Sequence, residues 1–149
     1  MKSKTPTILL VKDDSRDVKL TLRALEEWVL LNKVLVLSDC EAMDYFYHRG
    51  EFANGPFGSA RFVLLDLKRP KARGLDVLKT LKNDRDLKSI PVIVLTSSRE
   101  AGDLRECYQH GVNAYVIKPT DAGEFIWTVK QLVNFWSTIN EPPLYSRRL

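Results

Sequence analysis

Four short stretches carry the residues whose types and spacing could do chemistry. Asp13 and Asp14 follow the run Thr7-Ile8-Leu9-Leu10-Val11, Asp66 ends Phe62-Val63-Leu64-Leu65, Thr96 ends Val92-Ile93-Val94-Leu95, and Lys118 ends Ala114-Tyr115-Val116-Ile117. Apolar runs this short and unbroken read as strands covered on both faces. In a parallel sheet their C-terminal ends share one edge, where open α/β folds bind ligands. Acids from two of the strands, a hydroxyl and an amine would then meet at one rim. Singly, each has a plainer explanation: Asp13 as a helix cap, Asp66 as a loop cap, Thr96 as a turn hydroxyl, Lys118 as a solvated cation. Their matching places in successive strand-helix units favour a site.

The elements that must position them alternate along the chain. After the first strand, Val18, Leu22, Leu25 and Val29 recur at three- and four-residue spacing and predict an amphipathic helix over 15–31. Val34 to Leu37 is a second strand, and Cys40 to His48 a second helix closed by Gly50. Glu51 to Ala60, with Gly55, Pro56 and Gly58, reads as a loop into the Asp66 strand. Pro70 and Gly74 bracket another loop, and Leu75, Leu78 and Leu81 mark a third helix. Pro91 opens the Thr96 strand. A fourth helix spans Glu100 to His110, stopped by Gly111, with a thin apolar face of Ala101, Leu104, Cys107 and Tyr108. Phe125, Val129, Leu132, Val133 and Trp136 form one stripe of a long last helix. Five strands alternating with five helices imply right-handed crossovers and a doubly wound parallel sheet of flavodoxin-like (βα)5 type. A single domain over 1–139 and a Pro-containing tail over 140–149 are expected.

Composition narrows the class. The chain has 149 residues, 44% of them apolar and 28% charged, enough to bury one core. No apolar run approaches the ~18 residues of a membrane span. The basic N-terminus is followed by too short an apolar run for a secretory signal. Cys40 and Cys107 are far apart and lack a CxxC or His set, which suggests reduced thiols and a cytoplasmic setting. The net charge of +4 is spread along the chain, without the basic and aromatic stripe of a nucleic-acid binder.

Together these residues resemble the receiver domain of two-component response regulators from about Thr7 to Trp136. The likeness rests on Leu10-Val11-Lys12-Asp13-Asp14, Leu64-Leu65-Asp66-Leu67-Lys68-Arg69-Pro70, Leu95-Thr96-Ser97-Ser98 and Tyr115-Val116-Ile117-Lys118-Pro119. Gly50 to Asn54, Lys82 to Lys88 and Phe135-Trp136 are similar to the single-domain receivers that serve phytochrome-type histidine kinases. The resemblance implies strand order 2-1-3-4-5 and a signalling protein rather than a conventional enzyme. It makes Asp66 the phosphoacceptor in a phosphorelay. Mg²⁺ would be held by Asp13, Asp66 and the Lys68 carbonyl, with Lys118 and Thr96 on the phosphoryl oxygens. Thr96 and Tyr115 would form the switch.

Lys12, Asp14 and Lys68 depart from the family pattern. The family usually has two acids where this chain has Lys12-Asp13, and commonly a neutral polar residue at 68. With Asp13, Asp66, Lys12, Lys68 and Lys118 the pocket carries one net positive charge, or none if Asp14 contributes. Like charges ~4 Å apart repel by roughly 4 kcal/mol at an effective dielectric of about 20. Mg²⁺ affinity should therefore fall unless the lysines swing outward. Three readings stay open: a working receiver with weakened metal binding, a pseudo-receiver in which Lys12 pairs with Asp66, and a flavin- or nucleotide-binding enzyme of the same sheet order. The last fits poorly, because Asp13-Asp14 would face an anionic phosphate. With too few residues after Trp136 for an output domain, output should run through protein contacts. Phe135, Trp136, Leu144 and Tyr145 fall after the expected core, and a homodimer is expected through them and the face of the fourth helix, fifth strand and fifth helix.

Overall fold

The computed structural model describes residues 7–12, 18–26, 33–54, 60–67 and 74–143. Five strands, β1 (Thr7–Lys12), β2 (Lys33–Leu37), β3 (Phe62–Leu67), β4 (Val92–Thr96) and β5 (Ala114–Ile117), form one sheet. Its order is β2-β1-β3-β4-β5 and every pairing is parallel. This is the expected doubly wound arrangement, and β3 lies at its centre.

The unbroken apolar runs follow from cover on both faces. Leu9 and Val11 of β1, with Val63, Leu65 and Leu67 of β3, enter one core cluster. Ile8 and Leu10, with Phe62 and Leu64, enter the other. A strand's two-residue period thus feeds two cores at once. The first core is closed by α2 (Asp39–Phe46), α3 (Gly74–Asn83) and α4 (Ala101–Gln109), through residues such as Phe46, Leu78 and Cys107. The second is closed by α1 (Val18–Ala24) and α5 (Ala122–Asn134), through Ala24, Leu25, Phe125, Val129 and Val133.

Local chemistry sets the helix ends. Ser38 and Glu41 form a reciprocal capping box at the start of α2. Gly50 does not close that helix, as the sequence suggested. The helix ends at Phe46 and His48 takes the left-handed conformation, φ 56°, while Gly50, φ 57°, opens a 3-10 turn over Gly50–Phe52. Histidine is among the side chains that tolerate this region. Gly111 does stop α4, at φ 92°. There Val112 N–H donates to Cys107 O and Gly111 N–H to Tyr108 O, the paired bonds of a Schellman end.

Two expectations about packing change. On α4 the buried residues are Asp103 and Cys107, whereas Ala101, Leu104 and Tyr108 are exposed. An acid thus occupies the inward position that apolar periodicity assigned elsewhere. After α5 the backbone widens into a π turn over Phe135–Ile139, which accepts Arg61 Nε–H on Ser137 O at 2.7 Å. Trp136 is half-buried and packs against the second core, so it is not surplus to it. Phe135 stays exposed. Leu144 and Tyr145 lie outside the described residues.

Candidate functional site

Asp66 is the next-to-last residue of β3 and only 1% exposed. Its neighbour in register on β1 is Lys12, which is half-buried. Lys118 follows β5 directly. Its N–H donates to Thr96 O at 2.8 Å, carrying the β4–β5 pairing one residue beyond the strand. The backbone so fixed brings Lys118 Nζ to 2.6 Å from Asp66 Oδ1, with both side chains nearly excluded from solvent. Removing two charges from water is costly, and a contact of this length, with mutual neutralisation, offsets that cost.

Thr96 ends β4 and is fully buried, opposite Leu67 in register. Alternation places it with Leu67 on the first core's side of the sheet, not with Asp66. Its Oγ1 accepts the Ser98 N–H at 3.2 Å. Ser98 makes further bonds. Its Oγ donates to Asp103 Oδ2 at 2.5 Å and accepts the Glu100 N–H at 3.3 Å, and its carbonyl accepts the Tyr115 hydroxyl at 3.0 Å. Tyr115 is half-buried against the first core. Burial raises its pKa; the Ser98 side chain opposes this, and the charges of Cys107 and Asp103 add to it.

The structure therefore brings Asp66, Lys118 and Thr96 to one edge, with Lys12 beside Asp66 and Tyr115 tied to the loop after Thr96. Asp13, Asp14 and Lys68 lie outside the described residues. Among the described residues no cluster of three or more His, Cys, Asp or Glu could hold a metal by itself. Asp66 supplies a buried carboxylate oxygen donor of the kind that hard divalent cations prefer. Asp103 escaped the sequence reading. An acid four residues before Cys107, on a helix with too few apolar residues for its inner face, was the available signal.

A family model for the response regulator receiver domain matches residues 8–130. The chain belongs to that family. In receivers an aspartate takes a phosphoryl group as a step in signal transduction. This receiver is 35% identical over 130 residues to response regulator Rcp1 of Synechocystis sp., covering 87% of each chain. Among solved structures it matches the phosphorylated cyanobacterial phytochrome response regulator RcpA at TM-score 0.83 and 33% identity, covering 95% of this chain and 99% of that one. The Mn²⁺-bound form of Rcp1 matches at TM-score 0.81 and 32% identity, covering 93% and 99%. The bacteriophytochrome response regulator RtBRR is 45% identical at TM-score 0.70, covering 95% and 86%. This receiver is thus related to phytochrome-linked response regulators. Among the described residues it has no helix long and apolar enough to cross a membrane.

Proposed function

We propose that Asp66 is the phosphoacceptor, supplied by a histidine kinase of phytochrome type. The carrying observation is the buried 2.6 Å pair between Asp66 and Lys118 at the C-terminal edge of the sheet. An Asp66 oxygen would form a bond to phosphorus as the P–N bond to the kinase histidine breaks, and the imidazole leaves with the electron pair. Lys118 would follow the charge from carboxylate to phosphoryl oxygen, and Thr96 would turn toward that group and donate its hydroxyl to another oxygen. Mg²⁺, held by Asp13, Asp66 and the Lys68 carbonyl, would supply the remaining neutralisation of the phosphoryl charge. Apart from self-catalysed phosphorylation and dephosphorylation, no enzyme activity is assigned.

The pseudo-receiver alternative needs Lys12 to stand in for the cation. The pairing of Asp66 with Lys118 supports the working receiver instead. Incubation with acetyl phosphate, with and without Mg²⁺, decides between them. Wild type should take up phosphate in a Mg²⁺-dependent manner and Asp66→Asn none. Unlabelled wild type would leave only the binding module.

Output is proposed to run through protein contacts in the cytoplasm, without nucleic acid or membrane. Exposed Leu104 and Tyr108 on α4 and Trp127 on α5 support a homodimer through α4, β5 and α5, with Phe135, Leu144 and Tyr145 of the C-terminal segment contributing. The receiver domain is taken as 1–139 and residues 140–149 as its arm. Light scattering of a chain ending before Asn140 should show a lower mass than the full chain.

A further inference from the structure

Lys12 is the cation that the pairing of Asp66 with Lys118 leaves uncommitted. It closes β1 in register with Asp66 of β3, on neighbouring strands about 5 Å apart. Alternation puts both on one side of the sheet, because Ile8 and Leu10 of β1 and Phe62 and Leu64 of β3 all enter the second core. Lys118 stands on that side as well, two residues beyond Val116. Yet the Asp66 carboxylate goes to Lys118. Among the described residues Lys12, though half-buried, makes no hydrogen bond or ion pair.

A half-buried ammonium without a partner loses hydration and gains no contact in return. The balance of charge gives it a use. Asp66 carries one negative charge against the two positive ones of Lys118 and Lys12. A phosphoryl group on Asp66 replaces that single charge by about two, which the two lysines together match. The same surplus repels a divalent ion that arrives before the phosphoryl group does. We propose that Lys12 is a phosphoryl-binding residue: its ammonium joins Lys118 on the group carried by Asp66, while it weakens the hold of the site on a metal ion alone. The inference rests on the proposed phosphorylation of Asp66 and keeps the Mg²⁺ dependence of that reaction. Lys12 does not replace the ion but favours its arrival together with the phosphoryl oxygens. The four-carbon stem lets the ammonium reach across one strand spacing to them.

Two measurements on wild type, Lys12→Gln, Lys12→Arg and Asp66→Asn test this. Calorimetry with Mn²⁺ alone reads affinity for a cation. Calorimetry with beryllofluoride, a mimic of the phosphoryl group, at saturating Mg²⁺ reads affinity for the anion. Removing the ammonium in Lys12→Gln should tighten Mn²⁺ about tenfold and weaken beryllofluoride about tenfold. Lys12→Arg, which keeps the charge, should bind both as wild type does. Opposite signs are the mark of charge, since a merely loosened β1 would weaken both ligands. Both affinities falling together in Lys12→Gln, either one unchanged, or Lys12→Arg behaving as Lys12→Gln would overturn the role of Lys12 and leave Asp66 the acceptor. If wild type binds no beryllofluoride, or Asp66→Asn binds it equally well, the phosphoacceptor reading falls and Lys12 with it.

Discussion

Burying Asp66 beside Lys118 strips both of hydration, and each is tolerable because the other is there. Truncating one partner should therefore cost far more than replacing both. Lys118→Met, leaving the carboxylate in place, is expected to lower unfolding stability by about 3–5 kcal/mol. Asp66→Asn combined with Lys118→Met should recover most of it, as read by urea denaturation. Tyr47 gives a pH test at the opposite end of the sheet. Burial of its hydroxyl, aided by a 2.7 Å hydrogen bond to Asp84, pushes its pKa from 10.0 to about 12. The folded protein thus holds the phenol proton more tightly than the unfolded chain. The resulting stability is complete below pH 10 and is lost as pH rises through about 12. Tyr47 is 39% exposed, so solvent screens the pair and the effect is small. Ultraviolet titration should show one tyrosine ionising near pH 12 that is missing in Tyr47→Phe.

At the scale of single elements, capping decided more than propensity. Ser38 Oγ accepts the Glu41 N–H at 3.2 Å, and Glu41 Oε1 accepts the Ser38 N–H at 2.9 Å. Ser38→Ala should cost about 1 kcal/mol, measured as a lower denaturation midpoint at unchanged slope. The strands were legible in the sequence because β3 and β4 each open with four unbroken apolar residues, 62–65 and 92–95, followed at once by Asp66 or Thr96. The inner face of α4 was not. Asp103 is buried because Ser98 reaches it from a loop, a tertiary partner that helical periodicity cannot reveal. Likewise Trp136 continues the apolar stripe of α5 into the π turn, yet whether it covers core or partner depended on how far the second core extends.

Across the whole molecule, two cores clamp one sheet, and the thiols report on that clamp. Cys40 is exposed, while Cys107 lies in the first core. Burial, with the charges of Asp103 and Glu106, pushes the Cys107 thiol up to about 11. Iodoacetamide at neutral pH should modify Cys40 promptly and Cys107 only as the chain unfolds, with mass spectrometry of the digest counting each. A Cys107 that reacts in the folded protein would mean that α4 opens locally.

The sheet type, and the positions of Asp66, Thr96 and Lys118 at or just beyond the C-terminal ends of their strands, could be read from residues alone, because a buried parallel strand needs a run of apolar side chains. The family likeness extended that reading to roles. What folding decided was distance and side: that Lys118 reaches Asp66 at 2.6 Å, and that Thr96 stands with Leu67 on the other side of the sheet. It also decided that Ser98 links Thr96, Tyr115 and a buried acid. These depend on register between strands far apart in the chain and on a loop's path over a core. Neither is encoded in local periodicity, since hydrogen bonds between parallel strands join residues whose separation only the tertiary fold sets.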